Sequence, residues 1–177
     1  LIHEQDMQQK LGKFCFRQLM MILCSHQEMI CYNDDIPLTG HFLSYRGSMI
    51  NWCPIGRNAN SIEREKFAQI DKATKPSLRQ KELDKLDYKI NLRCAKNITV
   101  KLGGETSFDI YPKGWDKTYA LRHFPDHTCW FVGDRCGNGG NDQEIYELLN
   151  KDQRAYWTKS TMNTAEIIRE ITKRIKN

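Results

Sequence analysis

The shortness of the links between neighbouring β-prone runs is the feature that most limits the folds open to this chain. The runs form two pairs, residues 41–46 with 48–53 around Gly47, and residues 98–102 with 107–111 around Gly103-Gly104. Parallel strands need a crossover of about a dozen or more residues, so each pair is predicted to be an antiparallel hairpin. Amphipathic helices are predicted before and between the hairpins, one of them capped by Ser61. Residues 1–112 should therefore form an α+β domain, with one antiparallel sheet and flanking helices.

The pattern changes after Pro112, where helices and single strands begin to alternate as in α/β folds. The predicted order is a helix at 116–123, an apolar strand at 129–132, a glycine-rich loop, a helix from Asn141, a short strand at 155–157 and a final helix. The final helix should begin at a cap formed by Asn163 and Glu166, with one apolar face made of Ile167, Ile168, Ile171 and Ile175. A parallel sheet of two strands has no buried centre. Residues 113–177 are therefore predicted to be an incomplete Rossmann-like α/β core, whose neighbouring strands come from another chain or from a preceding segment.

Composition excludes several classes of protein. Hydrophobic residues make up 40% of the 177 residues and charged residues 28%, which is enough apolar surface for a globular core. The longest apolar run, Leu19 to Cys24, is far too short to span a membrane. The basic residues behind the formal charge of +5 are interleaved with acidic ones, so nucleic-acid binding is not expected. Seven cysteines without a CxxC pair indicate reduced thiols, and we expect a soluble, cytoplasmic protein.

A glycine-rich loop, Gly133 to Asp142, follows the predicted strand at 129–132 and leads directly into a helix. Ligands of α/β sheets bind at the carboxyl ends of strands. Carboxylate oxygens at such a position suit Mg²⁺, so Asp134 is the first candidate metal ligand and Asp142 the second. The alternative for Asp134 is an acidic turn residue at the end of a strand.

Four cations are candidates for contacts with an anionic ligand. Lys117 begins a helix of the α/β segment, where its ammonium could offset the charge of a phosphoryl group or carboxylate; taken alone, it would be a surface lysine. Arg46 and Arg57 lie at turns, and Arg64 lies in the first turn of a helix, where a cation is unfavourable to the helix dipole. Guanidinium groups suit phosphate because their planar fork engages two oxygens at once. The alternative is three solvated surface charges.

Ser107 and Asp109 point to the same face of one predicted strand, because side chains alternate along a strand. A hydroxyl and a carboxylate together can bind sugar hydroxyls, and the neighbouring Gly103-Gly104 permits close approach. An ordinary polar face of an edge strand is the alternative.

Five stretches of the chain carry a resemblance in matching order and spacing. They are Arg46–Asn51 with Cys53–Arg57, Glu63-Arg64, Gly103-Gly104 with Ser107–Asp109, Pro112–Lys117, and Gly133-Asp134 with Gly139–Asp142. In these stretches the chain resembles the eukaryotic phosphomannomutases, a family of the haloacid-dehalogenase superfamily. The resemblance implies that residues 1–112 are a cap domain and that residues 113–177 are the C-terminal part of the core.

The resemblance also implies a function. The family interconverts mannose 6-phosphate and mannose 1-phosphate in the cytosol, for GDP-mannose synthesis, using Mg²⁺, a phosphoaspartyl enzyme and a hexose 1,6-bisphosphate. By position, the cap residues that match its sugar-phosphate ligands are Arg46, Arg57, Arg64, Ser107 and Asp109. Asp134 matches a magnesium ligand and Lys117 the supporting core lysine. Family members dimerise through their caps, and Phe42 matches an apolar interface position, although from sequence alone it could equally lie in the cap's own core.

The chain departs from the family in one important respect. The family motif Asp-x-Asp-Gly-Thr, which holds the nucleophile and the general acid, does not occur in these 177 residues. We therefore expect no catalytic aspartate pair here and no phosphoryl transfer by this chain alone. Two alternatives to a phosphomannomutase remain: a haloacid-dehalogenase-type sugar-phosphate phosphatase, and a non-catalytic cap that serves as a binding or dimerisation module.

Overall fold

The computed structural model of the chain describes residues 5–94 and 97–176. The chain divides into two compact units, residues 1–113 and 114–177. The described residues of the first unit form a four-stranded antiparallel sheet with helices, and those of the second form a small parallel sheet with helices. The predicted mixed α/β class is therefore confirmed. None of the helices in the described ranges is both long and apolar enough to cross a membrane.

The sheet of the first unit is built from the two predicted hairpins. Its strands are β1 (Leu43–Tyr45), β2 (Ile50–Trp52), β3 (Ile98–Gly103) and β4 (Ser107–Pro112), and their order across the sheet is β1-β2-β4-β3. All three pairings are antiparallel. The two hairpins join through β2 and β4, which places Asn51 opposite Asp109 although 58 residues separate them in the chain.

The core of the first unit lies on one face of this sheet. Its helices are α1 (Met7–Cys31), α2 (Ser61–Lys72) and α3 (Leu78–Arg93). Alternate strand residues are fully buried on this face, and the Trp52 indole stacks on the Phe108 ring with 4.7 Å between ring centroids. Leu19 and Leu23 of α1 are also fully buried. Each fully buried side chain of this size stabilises the fold by about 1.5–3 kcal/mol, so this layer fixes which sheet face stays open.

The N-terminus of α2 differs from the sequence prediction. Asn60, not Ser61, is the N-cap, because the Asn60 side chain accepts a hydrogen bond from the Glu63 amide and the Glu63 carboxylate accepts one from the Asn60 amide. This reciprocal pair is a capping box, in which the N-cap lies three residues before a glutamate. Ser61 becomes the first helical residue.

The second unit has two parallel strands, β5 (Phe131–Gly133) and β6 (Ala155–Trp157). A 3₁₀ helix (Lys117–His123), α4 (Gln143–Asn150) and α5 (Thr161–Lys176) surround them. The core consists of Ile145, Leu149 and Ala155, with Leu121, Phe131 and Tyr146 packed against them.

Helix α5 begins earlier than predicted and buries a narrower face. The hydroxyl of Ser160 accepts a hydrogen bond from the Asn163 amide, and the helix starts at Thr161, so the cap formed by Asn163 and Glu166 was wrong. Of the four predicted isoleucines, Ile167 and Ile171 are buried, whereas Ile168 is 51% exposed and Ile175 is 64% exposed. Because a helix turns once in 3.6 residues, the pair at 167 and 171 forms a narrow stripe and the other two lie outside it.

Candidate functional site

The open face of the first unit's sheet carries a row of polar residues, which we call the polar face. Cross-strand pairing aligns Ser44, Asn51, Asp109 and Lys101 across β1, β2, β4 and β3. Side chains alternate along a strand, so this row faces away from the core that holds Trp52 and Phe108. Ser107 shares the polar face, since it lies two residues from Asp109 in β4, and Arg46 directly follows the end of β1.

Asn51 connects three of the predicted site residues. Its Nδ2 donates hydrogen bonds to Oδ1 of Asp109 at 2.8 Å and to Oγ of Ser107 at 3.1 Å. Its Oδ1 accepts a hydrogen bond from Nη1 of Arg57 at 2.8 Å. Asn51 itself is only 3% exposed. The structure therefore brings Arg57, Ser107 and Asp109 together around one buried amide that the sequence did not single out.

The β3–β4 turn fits closely around Asp109. A Cβ atom added to Gly103 would lie 2.8 Å from the Asp109 carboxylate, which is closer than van der Waals contact allows. The Gly103 carbonyl accepts a hydrogen bond from the Ser107 hydroxyl at 3.1 Å. Glycine at 103 is therefore needed so that Asp109 can occupy the polar face.

Arg64 is held beside this cluster by α2 and the loop before it. Its Nε donates to the Ala59 carbonyl at 2.9 Å, and its Nη2 donates to the Arg57 carbonyl at 3.2 Å. Its Nη1 donates to the Thr106 hydroxyl at 3.4 Å, and Thr106 is buried. Arg64 is thus fixed against the backbone next to Arg57. Thr106 is a further residue that the sequence did not indicate.

Arg46 and Phe42 lie at the edge strand. The Arg46 amide donates to the Met49 carbonyl at 2.9 Å in the β1–β2 turn. Its exposed side chain makes no hydrogen bond or ion pair within the part of the chain that the structure describes, so it is available to a ligand. Phe42 is partly buried, and its carbonyl accepts a hydrogen bond from the Cys53 amide at 2.8 Å. No contact joins Arg46 to Arg57 or Arg64 among the described residues.

The second unit contains a cleft of about 430 Å³ at the carboxyl ends of β5 and β6. Lys117, Asp134, Asp142 and the segment 158–161 are among its lining residues. The Lys117 ammonium pairs with Oδ1 of Asp142, whose other oxygen accepts a hydrogen bond from the Arg135 amide at 3.1 Å. Burial acts to raise the pKa of Asp142, but these two hydrogen bonds outweigh it, so the pKa lies below its ordinary value.

Asp134 and Asp142 differ in what their carboxylates can do. Asp142 is 1% exposed and both of its oxygens are engaged, whereas Asp134 is exposed at the edge of the cleft. Glycine is required at position 133, the last residue of β5, since a Cβ there would lie 2.7 Å from Oδ2 of Asp142. Burial, with the charges of Asp142 and Asp134 nearby, raises the pKa of the Cys136 thiol to about 11, which keeps this thiol protonated near neutral pH.

Comparison with known proteins matches these two units to a single family. The model described as eukaryotic phosphomannomutase matches residues 1–174. The chain belongs to the eukaryotic phosphomannomutase family. It is 33% identical to "Phosphomannomutase 2" of Dictyostelium discoideum over 176 residues, which is 96% of this chain and 66% of that relative. It is 43% identical to a phosphomannomutase of Arabidopsis thaliana, over 64% of this chain and 45% of that relative. It is 38% identical to a phosphomannomutase of Dendrobium officinale, over 83% of this chain and 56% of that relative.

Phosphomannomutases typically use Mg²⁺, and the second unit fits such an ion only in part. Hard oxygen ligands are what Mg²⁺ requires, and Asp134 offers an available carboxylate in the cleft. Asp142 is a poorer ligand than Asp134 because Lys117 and the Arg135 amide already occupy its oxygens. The described ranges contain no cluster of three or more histidine, cysteine, aspartate or glutamate side chains that could hold a metal.

Proposed function

We propose that the polar face binds a hexose phosphate as part of a phosphomannomutase. The reaction is the interconversion of mannose 6-phosphate and mannose 1-phosphate through a phosphoaspartyl enzyme, for GDP-mannose synthesis in the cytoplasm. Family membership supports this proposal. The observation that carries it is the buried amide of Asn51, which hydrogen-bonds Arg57, Ser107 and Asp109.

The chemistry of the cluster suits a sugar phosphate. Arg57 in the cluster, Arg64 beside it and Arg46 at the edge of the sheet supply guanidinium forks, which bind phosphate oxygens in pairs. Asp109 and Ser107 supply an acceptor and a hydroxyl for sugar hydroxyls. Asn51 lies between the cation of Arg57 and the anion of Asp109 and hydrogen-bonds both. A hexose with a phosphate at each end, such as a hexose 1,6-bisphosphate activator, can present a phosphate to the arginines and hydroxyls to Ser107 and Asp109 in either of two orientations.

In the second unit, Asp134 is the residue that would hold Mg²⁺, with Asp142 a weaker second ligand. The bound ion would supply positive charge to the phosphoryl oxygens. Lys117 is a supporting residue, because its ammonium keeps the buried Asp142 carboxylate ionised at the floor of the cleft. We also propose a homodimer formed through residues 1–112, with Phe42 at the interface, and no nucleic-acid or membrane partner.

A non-catalytic binding module is the second candidate for this chain taken alone. It is favoured because the sequence contains no Asp-x-Asp-Gly-Thr motif, which supplies the nucleophile in the family. The chain spans about half to two thirds of the length of the curated relatives it matches. We therefore expect the 177 residues to bind sugar phosphate without turning it over.

Titration of the isotopically labelled chain with mannose 6-phosphate tests the binding proposal. Amide signals of residues 51, 57, 107 and 109 should shift together with one dissociation constant. Arg57→Ala should weaken binding by about tenfold or more, because charge-assisted hydrogen bonds to phosphate are lost. Arg17→Ala is the matched control, since Arg17 is an exposed arginine on α1, away from the polar face.

The same sample can be assayed for mannose 1-phosphate formation with Mg²⁺ and a hexose 1,6-bisphosphate. Binding without turnover is the expected result. Turnover would contradict the view that this chain binds without catalysis, and release of inorganic phosphate without the bisphosphate would favour a phosphatase. Failure of Arg57→Ala to weaken binding would contradict the assignment of the polar face.

A further inference from the structure

Asp71 and Arg79 form a buried ion pair between the end of α2 and the start of α3. The Arg79 amide donates to Oδ1 of Asp71 at 2.7 Å, and its Nε donates to Oδ2 at 2.8 Å. The Asp71 and Arg79 side chains are 4% and 13% exposed. Both carboxylate oxygens are therefore engaged by one residue, and this fixes the direction of the guanidinium group.

The rest of that guanidinium group reaches the β3–β4 turn. Nη1 of Arg79 donates to the Gly104 carbonyl at 3.2 Å and lies 3.5 Å from the Gly103 carbonyl. The Gly103 carbonyl also accepts the hydrogen bond from the Ser107 hydroxyl. Gly103 lies directly against the Asp109 carboxylate. A continuous set of polar contacts thus runs from Asp71 through Arg79 and the turn to the polar face.

Arg79 lies at a position where a cation is otherwise unfavourable, which indicates that its contacts with Asp71 and the β3–β4 turn hold it there. It is the second residue of α3, where the helix dipole disfavours a cation. Its charge partner is Asp71, and its Nη1 donates to the carbonyls of the turn. An ion pair at the surface would leave the guanidinium group in solvent. Burial of Arg79 instead places its guanidinium group against the carbonyls of the β3–β4 turn.

We propose that Asp71 and Arg79 are positioning residues for sugar-phosphate binding, acting through the Gly103-Gly104 turn. This inference rests on the proposed function of the polar face. Neither residue touches the ligand: the pair holds the Gly103 and Gly104 carbonyls, so that Ser107 and Asp109 are presented to sugar hydroxyls in a fixed geometry. Loss of the pair should weaken mannose 6-phosphate binding by about tenfold, by analogy with the loss of partners that orient metal ligands.

The test compares Arg79→Lys with Glu82→Gln in the full 177-residue chain. Arg79→Lys keeps the charge but loses the planar fork. Glu82→Gln weakens a second buried pair of the same unit, in which Nδ1 of His26 lies 2.9 Å from Oε2 of Glu82, and this pair has no bond to the turn among the described residues. Both variants should lower the thermal midpoint by several degrees. Only Arg79→Lys should weaken mannose 6-phosphate binding and speed hydrogen exchange at residues 103–107.

The outcomes separate this inference from the proposed function. If the unsubstituted chain does not bind mannose 6-phosphate, the proposed function fails. If it binds, but Arg79→Lys and Glu82→Gln bind equally well, the positioning role fails alone. Unchanged hydrogen exchange in the turn of Arg79→Lys overturns it without reference to any ligand. Asp71→Asn is the second variant if Arg79→Lys does not fold; it keeps the shape of the side chain and should show the same two effects more weakly.

Discussion

Nδ2 of Asn51 donates a 2.8 Å hydrogen bond to Oδ1 of Asp109, while Oδ1 of the same amide accepts one from Nη1 of Arg57. One neutral side chain therefore contacts both a cation and an anion on the polar face. A direct ion pair between Arg57 and Asp109 would satisfy both charges without a ligand. With the amide between them, each retains hydrogen-bonding capacity for phosphate or sugar oxygens.

The first prediction concerns Asn51. Asn51→Asp should abolish mannose 6-phosphate binding, because it replaces the donor to Asp109 with a second carboxylate. It should also lower the free energy of unfolding by about 1–3 kcal/mol, the cost of an unsatisfied buried polar group. Ligand titration and chemical denaturation measure the two effects. Arg17→Ala, on α1 away from the polar face, is the control, and equal effects of both variants would contradict the role of Asn51.

The parts of the polar face that depend on residues close together in the chain could be predicted, and the contacts between distant residues could not. The hairpins followed from local spacing, and the shared face of Ser107 and Asp109 followed from alternation within one strand, so both could be predicted. The pairing of β2 with β4 could not, because 58 residues separate Asn51 from Asp109 and no local rule sets that register. Thr106 was missed for the same reason, since it is 42 residues from Arg64.

Capping residues show a second limit of sequence reasoning. Asn60 and Ser61 are both good N-caps, and only the backbone conformation decides between them.

The carboxylates of the second unit show a third limit. Spacing suggested both Asp134 and Asp142 as metal ligands, but it could not show that Asp142 is buried against Lys117.

The second prediction concerns that buried carboxylate. Lys117→Met should destabilise the second unit by about 1–3 kcal/mol, because the buried Asp142 carboxylate would lose its ammonium partner and keep only hydrogen bonds from backbone amides. Hydrogen exchange at the Arg135 amide should become faster. Lys159→Met removes another exposed lysine of the same cleft and should leave both quantities unchanged. Equal destabilisation by the two variants would show that the Lys117 pair contributes nothing specific.

The third prediction concerns pH. Burial acts to raise the pKa of Glu82, but hydrogen bonds from His26 and Lys85 outweigh it, so the pKa lies below its ordinary value of 4.5. A carboxyl whose pKa is lower in the folded state stabilises the protein above its unfolded pKa, and this contribution is lost as pH falls through the folded value. The thermal midpoint should therefore decrease as the pH is lowered below about 4.5, and this decrease should be less steep in Glu82→Gln. Parallel curves for the two proteins would contradict this role of Glu82.

The fourth prediction distinguishes the two candidate ligands of Mg²⁺. Magnesium should shift the amide signals of residues 133–135 with a dissociation constant of about 1 mM or weaker, because one available carboxylate leaves most positions to water. Asp134→Asn should remove the shifts. Asp142→Asn should keep the shifts and weaken binding only slightly, since its oxygens already serve Lys117 and the Arg135 amide. The reverse pattern would exchange the roles of the two aspartates.

The fifth prediction concerns self-association. If residues 1–112 form a dimer, Phe42→Ser should shift sedimentation of the chain towards the monomer, because it removes apolar surface from the edge strand. Phe14→Ser is the control, since Phe14 is a 73% exposed phenylalanine on α1. A purely internal role of Phe42 would appear instead as a lower thermal midpoint with unchanged sedimentation.

The stacking of Trp52 on Phe108 has a spectroscopic consequence. Trp52 is the one tryptophan of residues 1–113 and is fully buried, whereas Trp115, Trp130 and Trp157 belong to the second unit. Trp157 is 53% exposed. Quenching by iodide should therefore reach emission from the second unit and leave the blue-shifted emission of Trp52 unaffected. Unfolding of the sheet that carries the polar face can thus be followed separately by the point at which the Trp52 emission becomes accessible to iodide and is quenched.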